Sequence, residues 1–96
     1  MPQVLLLDSF RTWLAALRDL RAKVAIARRL ERMQAGNFGD AKPVGEGVFE
    51  LRVDVGQGYR VYCFKRGNEV VVVLAGGDKS SQDKDIKQAK KLAQEV

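Results

Sequence analysis

Phe49-Glu50-Leu51-Arg52-Val53-Asp54-Val55-Gly56-Gln57-Gly58-Tyr59-Arg60-Val61-Tyr62-Cys63-Phe64 is the stretch whose reading decides the fold. Phe49, Leu51, Val53 and Val55 alternate with Glu50, Arg52 and Asp54, the period of two expected of a half-buried strand. Gly56-Gln57-Gly58 then supplies the positive φ angles of a tight hairpin. Tyr59 to Phe64 returns as the partner strand, with Arg60, Tyr62 and Phe64 on one face and Tyr59, Val61 and Cys63 on the other. Beyond it, Lys65-Arg66-Gly67-Asn68 makes a second turn. Val70 to Ala75 is an uninterrupted apolar run, as in a central strand covered on both sides, and Gly76-Gly77-Asp78 closes it in a sharp turn.

Working upstream, Asn37-Phe38-Gly39-Asp40-Ala41-Lys42-Pro43 has turn composition and is expected to be a loop. Before it, residues 9 to 35 contain neither Gly nor Pro, yet one continuous helix is excluded by phase. Phe10, Trp13, Leu14 and Leu17 share one side of a helix, and Trp13 reads as core. Ile26, Leu30 and Met33 form a stripe that would lie roughly half a turn away. Two helices joined near Arg18–Ala22 turn both stripes to one core, with Asp8 or Ser9 capping the first and Gly36 ending the second. Val4 to Leu7 is a short strand, either buried on both faces or at an edge. Downstream, Ser80 or Ser81 caps a last helix, with Asp83 and Asp85 in its first turn and Ile86, Ala89, Ala93 and Val96 along its apolar side. The predicted class is α+β: one domain over residues 1–96, ordered β-α-α-β-β-β-α. Its sheet is twisted, four-stranded and mainly antiparallel, packed by a helical hairpin and a C-terminal helix.

Composition narrows the chemistry. The chain of 96 residues carries 17 Lys plus Arg against 12 Asp plus Glu, a formal net charge of +5, with no His and one Cys. Without His, the default general base at neutral pH and the commonest metal ligand are both missing. A lone Cys63 makes neither an internal disulfide nor a zinc site, so no metal and no cofactor is expected. The opening residues lack the apolar length of a signal peptide or a membrane helix, which points to the cytoplasm.

Arg52 lies mid-strand and Arg60 opens the return strand across the hairpin. If both project from one exposed face, two guanidinium forks converge on one patch, and Lys79, leaving the neighbouring strand, completes it. Like charges so close call for an anionic partner. The alternative for Arg52 is an ordinary ion pair with Glu50 or Asp54, and for Lys79 an ordinary turn lysine. Tyr62 either packs in the sheet or stacks on a base. Arg28, Arg29 and Arg32, opposite the apolar stripe of their helix, are either a solvated face or contacts to an RNA backbone. Lys42 and Lys84 would extend such a footprint.

Gly47-Val48-Phe49-Glu50-Leu51-Arg52, Gly58-Tyr59-Arg60-Val61-Tyr62 and Leu74-Ala75-Gly76-Gly77-Asp78-Lys79-Ser80-Ser81-Gln82, followed by Asp85-Ile86, stand in an order and spacing that resembles the RelE/ParE toxin superfamily. More narrowly they resemble the HigB-like addiction module killer proteins of type II toxin–antitoxin systems. The resemblance implies a toxin silenced by a cognate antitoxin, commonly a helix-turn-helix protein. In the RelE and HigB branches it implies a ribosome-dependent endoribonuclease that cuts mRNA in the ribosomal A site. Arg52 and Arg60 then fall where such members place sheet-face basic residues, and Lys79 near their post-strand basic residue. The other functional classes are a ParE-like poison of DNA gyrase and a nonenzymatic RNA-binding relic. Two departures stand out: after Ala75 the chain has neither Tyr nor His, and Glu50 occupies a position where some relatives are basic.

Overall fold

In the computed structural model, which describes residues 2–96, five strands form one sheet in the order β1-β5-β4-β3-β2. The elements are β1 (Gln3–Leu6), α1 (Asp8–Ala16), α2 (Leu20–Gln34), β2 (Ala41–Gly45), β3 (Val48–Val53), β4 (Tyr59–Arg66), β5 (Val70–Asp78), a single 3-10 turn (Lys79–Ser81) and α3 (Gln82–Glu95). β1 runs parallel to β5, at the sheet edge, and the other three pairings are antiparallel. The α+β class is as expected. The strand count is not.

The fifth strand, β2, occupies part of the stretch expected to be a loop. Ala41-Lys42-Pro43-Val44-Gly45 has weak strand composition, but it lies at the opposite edge of the sheet, where Pro43 need not supply a donor. A second difference concerns Gly76 and Gly77, which lie inside β5 instead of in a turn. Each clears space on one face. Gly76 is in contact with the Trp13 indole of α1, and Gly77 is in contact with the Asp85 carboxylate of α3. A methyl at residue 76 meets the ring of Trp13, so Gly76→Ala is expected to destabilise the fold by about 1–3 kcal/mol, the range for overpacking. Urea unfolding measures it; a change below about 0.5 kcal/mol shows that α1 is free to give way.

The break between α1 and α2 falls where the two stripes require it. Leu17 and Asp19 are extended, and the Asp19 carboxylate accepts from the Ala22 amide at 3.1 Å to cap α2. The cap expected of Asp8 or Ser9 is absent. Leu7 holds that position, and the Ser9 hydroxyl donates instead to the Leu74 carbonyl at 2.6 Å, tying α1 to β5. Neither serine caps α3 through its side chain. Asp78 caps the 3-10 turn before it, accepting from the Ser80 amide at 2.9 Å.

The helices take opposite faces of the sheet. Phe10, Ala22, Ile26 and Met33 of the hairpin pack on Leu51, Val61, Cys63 and Val73. Ala89 and Ala93 of α3 pack on Val48, Tyr62, Val72 and Leu74. None of the described helices is long and apolar enough to cross a membrane.

Candidate nucleic-acid interface

Register brings the basic pair together. Arg52 stands directly opposite Arg60, and Glu50 directly opposite Tyr62, in the antiparallel pairing of β3 with β4. Directly paired residues project from the same face, and here that face carries α3. The face expected to be exposed is mostly covered by α3. Arg60 is 9% exposed and Glu50 only 1%. Arg52 keeps 35% of its side chain exposed.

Glu50 sits between the two guanidinium groups, with Oε1 3.5 Å from Arg52 Nε and Oε2 4.0 Å from Arg60 Nε. Gln82, the first residue of α3, donates Nε2 to Glu50 Oε2 at 2.9 Å. Arg60 also donates Nη1 to the Tyr59 carbonyl at 3.1 Å. The ion pair weighed as an alternative for Arg52 is therefore present, through Glu50; Asp54 is exposed beyond the end of β3. One carboxylate faces the two guanidiniums, and a second, that of Asp85, lies close by over Gly77, the residue paired with Arg60. The buried Nε atoms of both arginines and the Tyr62 hydroxyl have no hydrogen-bond partner among the described residues. The two Nε atoms are those that face Glu50, at ion-pair rather than hydrogen-bond geometry, so one carboxylate serves both arginines loosely.

Tyr62 requires a correction. Its ring lies wholly in the core beneath α3 and offers no face on which a base could stack. Burial, reinforced by the charges of Glu50 and Asp85, raises its hydroxyl well above the ordinary 10.0. Burial also raises the Cys63 thiol above its ordinary 9.0. Both groups are neutral in the folded chain, so their contribution is complete below their ordinary values and falls as pH rises past them. Unfolding free energy is expected to decline above pH 9, and more steeply above pH 10, by about 1.4 kcal/mol per pH unit for each proton. Tyr62→Phe removes the steeper component, and near pH 7 it is expected to be neutral or stabilising because it deletes an unpartnered hydroxyl. Urea midpoints between pH 7 and 11 check this; identical slopes for both chains above pH 10 rule it out.

Lys79 is exposed on the 3-10 turn, and its aliphatic stem lies over Gly58, where an added Cβ would stand 2.6 Å from Lys79 Cε. That places it at the hairpin end of the sheet, on the Arg60 side, since Asp78 pairs with Tyr59 and Gly77 with Arg60. Lys79 and Lys84 line an open cleft at the start of α3 with Ser80 to Asp83. Asp78 is held below the usual carboxylate value, chiefly by the Ser80 hydroxyl, and so is a weak proton acceptor. Lys42 is exposed on β2 and paired with Glu50, which places it beside Arg52 on the α3 face.

Arg28, Arg29 and Arg32 are not part of this cluster. They line a separate cleft of about 250 Å³ with Ala25 and Val53 to Val55, on the side of the sheet that carries α2. Arg29 also requires correction as an RNA contact. Its guanidinium donates to the carbonyls of Phe38 and Asp40, at 3.0 Å each, and to that of Arg52, so it anchors the loop before β2 to β3. Arg28 and Arg32 remain exposed. Two residues of the cluster, Gln82 and Asp85, were not legible as site residues: each reads as ordinary first-turn helix composition until α3 is laid over β3 and β4.

The fold and its cluster define a small basic α+β protein with paired sheet arginines beneath a C-terminal helix. The model of the family described as "Phage derived protein Gp49-like (DUF891)" matches residues 12–96, and the chain belongs to that family, a branch of the RelE/ParE-like toxin superfamily whose members are generally toxins of toxin–antitoxin pairs. A Haemophilus influenzae protein, described as an uncharacterized protein, is 59% identical over 88 residues, covering 92% of this chain and 89% of its own length.

Proposed function

We propose that the protein is a HigB-like toxin that arrests translation in the cytoplasm by cutting mRNA bound to the ribosome, and that a cognate antitoxin, a helix-turn-helix protein, restrains it. The observation that carries this reading is the cross-strand pair Arg52–Arg60, in which two guanidiniums share the Glu50 carboxylate and Arg52 keeps 35% of its side chain exposed. Internal attack by a 2′-hydroxyl places developing negative charge on the phosphoryl oxygens. Fixed cationic donors aimed at that charge are usually the largest catalytic contribution. Arg52 reaches solvent and meets the phosphate. Arg60 supports it from beneath α3, and Lys79 and Lys42 flank the patch. Tyr62 keeps its proton and Asp78 is a weak acceptor, so neither serves as the general base, and charge stabilisation falls to the arginines and lysines.

Primer extension on an mRNA in a translating extract tests the reading. Cuts that require ribosomes support it. Intact mRNA together with gyrase-linked DNA breaks would assign the protein to the gyrase-poisoning branch, and loss of neither would leave an RNA-binding relic.

A further inference from the structure

The buried side of α2 is the stripe Ala22, Ile26 and Met33. On the far side the helix exposes two aliphatic residues, Leu20 at 73% and Val24 at 51%, one turn apart. At about 100° per residue, Leu20 and Val24 lie roughly 120° and 160° from Ile26 around the axis, and Arg28, Arg21 and Arg32 continue from about 200° to 240°. The geometry agrees: Leu20, Arg21, Val24, Ala25 and Arg28 line a groove of about 370 Å³. Ala25 and Arg28 also line the neighbouring arginine cleft, so the two depressions run together along the helix. Arg21, Arg28 and Arg32 enter no salt bridge among the described residues, and Glu31 is the one acidic residue of α2.

We propose that this outward face of α2 is the docking surface for the antitoxin, and that it takes an acidic amphipathic segment with apolar residues one turn apart and carboxylates along one flank. The proposal rests on the family-level reading of the chain as a toxin with a protein partner. Charge complementarity selects the occupant. A second copy of this chain would set arginine against arginine across a symmetric contact. An RNA backbone would satisfy the arginines but leave Leu20 and Val24 uncovered, whereas an amphipathic segment covers both halves. The surface lies across the sheet from Arg52 and Arg60, so this contact leaves the phosphate-facing cluster unobstructed.

The test uses the full chain with a single introduced thiol, Val24→Cys or, as a control on α3, Lys87→Cys. Cys63 is fully buried and stays silent to maleimide in the folded protein. The probe is the purified product of the gene adjoining this one. In the isolated complex, labelling at residue 24 is expected to slow at least tenfold, whether or not residue 87 is also shielded. The double variant Leu20→Ser/Val24→Ser, with an unchanged circular dichroism spectrum, is expected to bind at least a hundredfold more weakly, and added salt weakens binding of the native chain. Labelling of residue 24 at the free rate in an intact complex overturns the proposal. So does protection of residue 24 by an oligoribonucleotide but not by the protein. If the adjoining product forms no complex, the proposal fails without touching the assignment of mRNA cleavage, which primer extension reads separately.

Discussion

Replacing Glu50 with alanine is expected to remove about 3–5 kcal/mol of stability, the range found when one partner of a buried ion pair is deleted. The reason lies with the partner left behind. Arg60 is nearly as buried as Glu50, it cannot shed its proton, and Glu50 supplies the facing carboxylate at 4.0 Å. Loss of that carboxylate leaves a desolvated guanidinium with one hydrogen bond, to the Tyr59 carbonyl, and strands the Gln82 amide that holds the start of α3. Domains of this size are stable by only about 5–15 kcal/mol, so the thermal midpoint should fall by more than about 10 °C. Glu50→Gln keeps an acceptor for Gln82 and should lie between. The pair Glu50→Leu/Arg60→Met should recover much of the loss, because apolar replacement of a whole buried pair is often neutral. Urea unfolding of the four chains decides the matter: a Glu50→Ala chain within about 0.5 kcal/mol of the native one would mean that Arg60 does not depend on this carboxylate.

The second large effect is on activity. Arg52→Ala is expected to lower the rate of mRNA cleavage on translating ribosomes by about 10²–10³, the usual loss when one charge-stabilising donor is removed. Its stability should change by less than about 1 kcal/mol, because a partly exposed pair contributes little. Arg52→Lys keeps the charge but loses the two-pronged fork, and should recover only part of the rate. Arg52 is the informative position because Arg60→Ala combines lost chemistry with a disturbed core. Cleavage rates per folded molecule, with folding checked by circular dichroism, give the comparison. Undiminished cleavage by a folded Arg52→Ala chain would take Arg52 out of the site.

Local pattern carried some of these conclusions and failed on others for identifiable reasons. The break between α1 and α2 was legible because Phe10 to Leu17 and Ile26 to Met33 are out of phase, and only a break turns both inward. The hairpin at Gly56 to Gly58 was legible because strand period and turn chemistry agree there. β2 was not legible. An edge strand needs little strand propensity when its neighbour supplies the hydrogen bonds, and Pro43 at residue 43 reads as loop until an edge is known to lie there. The Gly76-Gly77 pair was visible but misread, since glycine permits a turn as readily as it permits Trp13 and Asp85 to lie against opposite faces of one strand.

By itself the sequence brought Arg52 and Arg60 onto neighbouring strands of one hairpin. The register that puts them directly opposite on one face came from the structure, because a slip of one residue would separate them. The sequence also determined the basic charge and the absence of His. Which side of the sheet α3 covers was decided only by the tertiary structure. The stripe of Ile86, Ala89 and Ala93 fits any apolar surface, and the choice depends on competition among three helices for two faces. That choice buried Glu50, Arg60 and Tyr62 and left Arg52 at the rim. It made one glutamate the counter-charge of two arginines, and it left α2 with Leu20, Val24 and its arginines turned outward.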